Sequence, residues 1–93
     1  EQHAIVALVL DAVRAHVPPR VWPVADYFVR RANEPVTVAD CAAALGVHRK
    51  TLVNRLRDAG CPPPLVVRAW CRLLVVARRL EEPGRTVEGI ALQ

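Results

Sequence analysis

Residues 37 to 57 read TVADCAAALGVHRKTLVNRLR, and the way this stretch folds decides the rest of the chain. Thr37 followed by Asp40 has the form of a helix N-cap with an acid at the third helical position: the hydroxyl takes an orphan backbone N–H and the carboxylate reaches back to the cap. The pattern predicts a helix from Val38 to Leu45. At Gly46 the chain must turn, with a positive φ that costs glycine almost nothing and a bulkier residue about 1 to 2 kcal/mol. Helix resumes at His48 and ends at Gly60, a natural residue just past a helix C-terminus. Two helices that cross closely need a small residue at the crossing, a glycine four residues later and apolar residues on either side of the turn. Ala42, Gly46, Val47 and Leu52 meet that requirement. The stretch is the sequence form of a helix-turn-helix in an all-α protein.

On the second of these helices Leu52 and Leu56 are predicted to pack inward with Val47, while Lys50, Val53, Asn54 and Arg57 share another face at i, i+3, i+4 and i+7. That face suits the edges of base pairs: a lysine donates to guanine O6 or N7, an asparagine bonds an adenine edge twice, and a valine meets a thymine methyl. Lys50, Val53 and Asn54 are the candidate base readers. Thr37, His48, Arg49, Arg55 and Arg57 are candidate phosphate contacts, His48 and Arg49 because they stand in the first turn, where backbone N–H groups hold anions. His48 has an equal second reading as a substitute N-cap. Arg55 flanks the reading face and suits a backbone contact or a surface charge. The alternative for the whole face is a solvated helix surface with an incidental valine.

After Pro62-Pro63-Pro64 a longer helix is predicted from Leu65 to about Glu81, with Val66, Ala69, Trp70, Leu73, Leu74, Ala77 and Leu80 as its buried stripe and Pro83-Gly84 as its stop. Arg72 is its best-placed phosphate contact, ahead of Arg68, Arg78 and Arg79, since ion pairs with Glu81 and Glu82 can account for the last two. Upstream, a helix starts near Trp22 or Pro23 with Val21, Val24, Ala25, Phe28, Val29 and Ala32 inward and Asp26, Arg30 and Arg31 outward, ending at Asn33-Glu34-Pro35. Residues 4 to 17 carry Ile5, Leu8, Val9, Ala12, Val13 and His16 at helical spacing. A buried strand through Ile5 to Leu10 is the alternative there. Trp22 and Trp70 both fall on apolar stripes and are expected in the core.

With 93 residues, 53% of them apolar and 4% aromatic, the chain makes at most one small aliphatic-cored domain. Its net charge of +4 is regional: between His48 and Arg79 there are eight Lys or Arg and one acid, Asp58. Such a field favours an anionic partner. The three cysteines, Cys41, Cys61 and Cys71, have neither metal-ligand nor redox spacing, so a reduced, cytoplasmic setting fits and no metal or cofactor is expected. The run Ile5 to Leu10 is too short to span a bilayer and lacks the flanks of a signal segment. Serine is absent, the three histidines lie far apart, and no phosphate loop or paired carboxylates occur, so no enzyme is expected. The apolar start, with no initiator Met, suggests a piece of a longer protein.

TVADCAAA at residues 37 to 44 aligns with TVEGIALQ at 86 to 93, sharing the two threonines, the two valines, and Ala42 with Ala91. A second helix-turn-helix thus begins and stops short, since its turn glycine would lie beyond Gln93. VTVADCAAALGVHRKTLVNRLRDAG, the proline block, the basic helix WCRLLVVARRL and then EEPGRTVEGIAL together resemble the DNA-binding region of AraC/XylS-type bacterial transcription regulators, over about Trp22 to Gln93. The resemblance implies two homeodomain-like helix-turn-helix subdomains joined by a long helix, both reading helices entering successive major-groove segments of double-stranded DNA. The family's base-reading positions fall on Lys50, Val53 and Asn54. His48 stands where the family often has serine, Leu56 where it often has an aromatic residue, and Gly89 where an acid is usual. The expected organisation is a linker helix over 1–17 from an upstream effector domain, a first subdomain over 18–60, a connecting helix over 61–82 and an incomplete second subdomain over 83–93. RNA polymerase is a further partner that the resemblance implies. The competing class is an interaction module, in which the same fold docks proteins and the N-terminal helix dimerises.

Overall fold

The computed structural model describes residues 2–80, and the described residues fold as five α-helices without a strand. They are α1 (Gln2–Arg14), α2 (Trp22–Arg30), α3 (Val38–Ala44), α4 (Arg49–Asp58) and α5 (Pro64–Leu80), with one 3-10 turn at Pro19–Val21. The expected end of the long helix at Glu81, the stop at Pro83-Gly84 and the second repeat lie outside the described residues.

Each local expectation around α3 and α4 has its counterpart in a hydrogen bond. Asp40 N donates to Thr37 Oγ1 at 3.1 Å and Thr37 N donates to the Asp40 carboxylate at 2.8 Å, so both halves of the capping box are made. Gly46 takes φ +70°, its N–H bonds Ala43 O, and the next N–H, of Val47, bonds Ala42 O. This pair closes the C-terminus of α3 as a Schellman motif. The pattern repeats at the end of α4, where Gly60 has φ +75° and Cys61 N reaches Leu56 O. The chain between the two helices is therefore held at both ends, and Leu52 and Leu56 enter the core with no exposed surface.

The core joins Ile5, Val6, Val9 and Leu10 of α1, Val21, Val24, Phe28 and Val29 around α2, Cys41 and Ala42 of α3, the two α4 leucines, and Cys71 and Val75 of α5. The α2 stripe matches its sequence pattern, with Ala32 half-buried. Asp26, expected outward, is drawn in by Arg14: their 2.6 Å ion pair ties α1 to α2, with the Arg14 guanidinium 5.7 Å from the Trp22 ring. Helix rather than strand is realised at the N-terminus, but its buried face is rotated. Val6 and Leu10 join Ile5 and Val9 inside, while Leu8, Ala12 and His16 are exposed. The run of apolar residues from Ala4 to Leu10 gives the period little contrast, and packing against two helices chooses the face.

The larger correction concerns α5. Its expected stripe faces outward: Trp70, Leu73, Leu74 and Leu80 are 55%, 65%, 44% and 41% exposed, and Val66, Ala69 and Ala77 are exposed with them. Trp70 is thus no part of the core, whereas Trp22 is half-buried with its indole N–H on Val17 O at 3.1 Å. The packed face carries Pro64, Cys71, Val75 and, at 5% exposure, Arg79. Three arginines explain the choice. Arg68 donates to Val36 O at 3.1 Å, Arg72 to Glu34 O at 2.8 Å and Arg79 to Asn33 Oδ1 at 3.2 Å, so one side of α5 supplies donors to the irregular segment between α2 and α3. Asn33 and Glu34 are exposed and Val36 is half-buried, so water competes for these acceptors and the bonds orient α5 more than they stabilise it. α5 is apolar on both sides, and the side that also bears these donors lies against that segment.

No helix among the described residues is long and apolar enough to cross a membrane, and no group of three or more His, Cys, Asp or Glu there could hold a metal ion. Burial pushes the Cys41 and Cys71 thiols up to about 11 from an ordinary 9.0; Arg31 draws Cys41 back in part, and Cys41 adds to the shift of Cys71. Both are inert as nucleophiles at neutral pH.

Two outcomes follow from this packing. Leu52→Ala is expected to lower the unfolding free energy by about 2 to 5 kcal/mol, and Leu73→Ala by about 0.5 kcal/mol or less; urea denaturation of the two variants checks this, and equal losses would contradict the outward face of α5. The raised thiol values make the folded state hold protons longer than the unfolded chain does. Their contribution to stability is therefore complete below pH 9.0 and lost as pH rises to about 11. Urea midpoints across that range should fall more steeply for the native chain than for the Cys41→Ala, Cys71→Val double variant.

Candidate nucleic-acid interface

With Leu52 and Leu56 buried, α4 turns its remaining sides to solvent. His48, Arg49, Lys50, Val53, Arg55 and Arg57 are exposed and Asn54 is half-buried; Lys50, Val53, Asn54 and Arg57 share one face, with Arg49 at its edge and Arg55 on the other side of the helix. Asn54 Oδ1 accepts from Arg57 Nη2 at 2.9 Å, one helical turn away. That bond orients the amide and leaves its two Nδ2 hydrogens for an acceptor such as an adenine N7. Arg57 also lies 3.9 Å from Asp58, both side chains about 70% exposed, a contact of little energetic weight.

His48 performs the capping role and keeps a donor besides. Lys50 N donates to its Nδ1 at 3.0 Å, so Nδ1 carries no proton and the tautomer bears its hydrogen on Nε2. The imidazole thus satisfies one orphan N–H of α4 while Nε2–H stays free to donate, and the two readings of His48 are compatible. Thr37 is held in the capping box, where its hydroxyl accepts one bond and retains its own hydrogen, with the Asp40 carboxylate beside it.

Two groups among the described cations differ in what they bond. Arg14, Arg20, Arg68, Arg72 and Arg79 bond other elements: Arg20 Nη2 donates to Asp58 O at 2.9 Å at the C-terminus of α4, and the others tie the helices together as described. The side chains of Arg49, Lys50 and Arg55 make no hydrogen bond or ion pair among the described residues. Arg72 therefore belongs to the set that holds the fold, a role its spacing in the sequence did not indicate. The i, i+4, i+11 pattern of Arg68, Arg72 and Arg79 was a signal for such a ladder, obscured by the apolar residues between them.

No protein-family model, no curated protein and no solved structure matches the chain.

The cap is open to a direct check. His48→Ala should destabilise the protein by about 1 kcal/mol, within the range for lost caps, and His48→Asn should restore most of that. Thermal melts followed by circular dichroism measure both, and a neutral His48→Ala change would remove the cap from this account.

Proposed function

We propose that the chain is the DNA-binding region of a bacterial, cytoplasmic transcription regulator of the AraC/XylS type, reading the major groove of duplex DNA sequence-specifically with α4. The observation that carries this reading is the exposed face of Lys50, Val53 and the oriented amide of Asn54, with Arg49 beside it and Arg55 farther round α4, all three cations unengaged. Three unengaged cations on one short helix, beside five arginines committed elsewhere to structure, make an anion-binding surface. Lys50, Val53 and Asn54 read base edges; Thr37, His48, Arg49, Arg55 and Arg57 hold phosphates.

The outward apolar face of α5 supports the rest of the resemblance. A second helix-turn-helix, begun by the repeat at Thr86, would cover Trp70, Leu73 and Leu74 on the side of α5 turned away from α1 and α2. An upstream effector domain and a contact with RNA polymerase belong to the same proposal. In the competing view, α1 dimerises and the fold docks a protein. However, Ile5, Val6, Val9 and Leu10 are already used in the core, which leaves Leu8 as the large apolar side chain α1 offers to a partner.

Lys50→Ala and Asn54→Ala should each weaken binding to a preferred duplex by about 1 to 3 kcal/mol and flatten sequence preference. Arg49→Ala should weaken preferred and random duplexes alike and reduce the slope of log K against log salt by roughly 0.9. Fluorescence anisotropy at two salt concentrations distinguishes these, and a preference that survives both α4 substitutions would overturn the reading.

A further inference from the structure

Beside α4, the head of α5 closes a cleft that the proposed hydrogen bonds to bases do not use. It is lined by Val38 of α3, Arg49 and Val53 of α4, and Pro63, Pro64 and Leu65, and its volume is about 340 Å³. Val53 and Leu65 show 37% and 58% of their surface to solvent. Arg49 and Val53 are one turn apart, so a cation stands at the rim of an otherwise apolar wall. The far wall is rigid: the two proline rings fix the backbone, and Pro63 O accepts from Val66 N and Val67 N at 2.9 and 3.1 Å, pinning the first turn that carries Leu65.

The charge around the cleft selects its occupant. Arg49 lines it, and α4 carries His48, Lys50, Arg55 and Arg57 besides, with Asp58 as its one acid; Asp40 on α3 is held in its capping box. An apolar peptide would leave that field unmatched, whereas a polyanion with an apolar edge matches both parts. In the major groove of duplex DNA the apolar edge is the C5-methyl of a pyrimidine, continuous with its C6–H and the sugar behind it. We propose that this cleft reads a pyrimidine C5-methyl group, with Val53 and Leu65 as specificity-determining contacts and Arg49 on the adjoining phosphate. The cleft is wide enough for the methyl together with the sugar edge. This proposal rests on α4 being the DNA-reading helix. Thymine and 5-methylcytosine present the same methyl, and the experiment separates them.

The intact chain is used to select a preferred duplex from a random library, and binding is then measured by fluorescence anisotropy with deoxyuridine replacing each thymidine, or 5-methyldeoxycytidine each deoxycytidine, one position at a time. One such change should shift affinity about fourfold, the worth of one buried methyl group: a loss with deoxyuridine identifies thymine, a gain with the methylated base identifies 5-methylcytosine. The shift should vanish in Val53→Ala and in Leu65→Ala, whose side chains are outward and whose folding is checked by circular dichroism. A selected duplex indifferent to every methyl, or a methyl effect that persists in both variants, overturns the cleft alone. Failure to select any duplex overturns the function of α4 and the cleft with it.

Discussion

The reversal of the chain at Gly46 is the constraint on which the rest of the structure depends. A positive φ of 70° there lets two successive N–H groups fold back onto Ala43 O and Ala42 O, giving two carbonyls of the last turn of α3 their donors. The same reversal sets α4 so that Leu52 and Leu56 drop into the core beside Cys41 and Ala42. Every other side of α4 is then left to solvent. The surface that carries Lys50, Val53 and Asn54 is thus a consequence of which residues the turn drives inward.

α5 completes this arrangement by holding the segment that precedes α3. Arg68, Arg72 and Arg79 donate to Val36 O, Glu34 O and Asn33 Oδ1, fixing the approach to the Thr37 capping box. Hydrogen bonds to charged donors contribute about 1.5 to 3 kcal/mol each where they are sheltered, less where solvent screens them. The two sets of cations follow from this division of labour. Arg68, Arg72 and Arg79 of α5 hold a loop in place, whereas Arg49, Lys50 and Arg55 of α4 bond no protein acceptor among the described residues.

The sequence was legible wherever a local rule has one solution. The cap at Thr37, the turn glycines at Gly46 and Gly60, and the α2 stripe are each set by contacts within a few residues, and their positions followed from spacing. The faces of α1 and α5 were not legible, because both helices are apolar around much of their circumference and only tertiary partners decide which side is covered. Trp70 illustrates the error: an aromatic residue at stripe spacing reads as core, yet the arginine ladder on the opposite side determines how α5 lies. The exposed surface of α4 was legible as a group of residues. The Asn54–Arg57 bond, the His48 cap through Nδ1 and the structural engagement of Arg72 required the fold.

The central claim is that α4 is the surface that meets DNA. Backbone and side-chain NMR shifts of the chain, titrated with a preferred duplex, test it most directly. The account predicts the largest perturbations at Lys50, Val53 and Asn54, with smaller ones at His48 and Arg49, and little change at Trp70 and Leu73. Perturbations centred on the outward face of α5, with α4 unmoved, would contradict it.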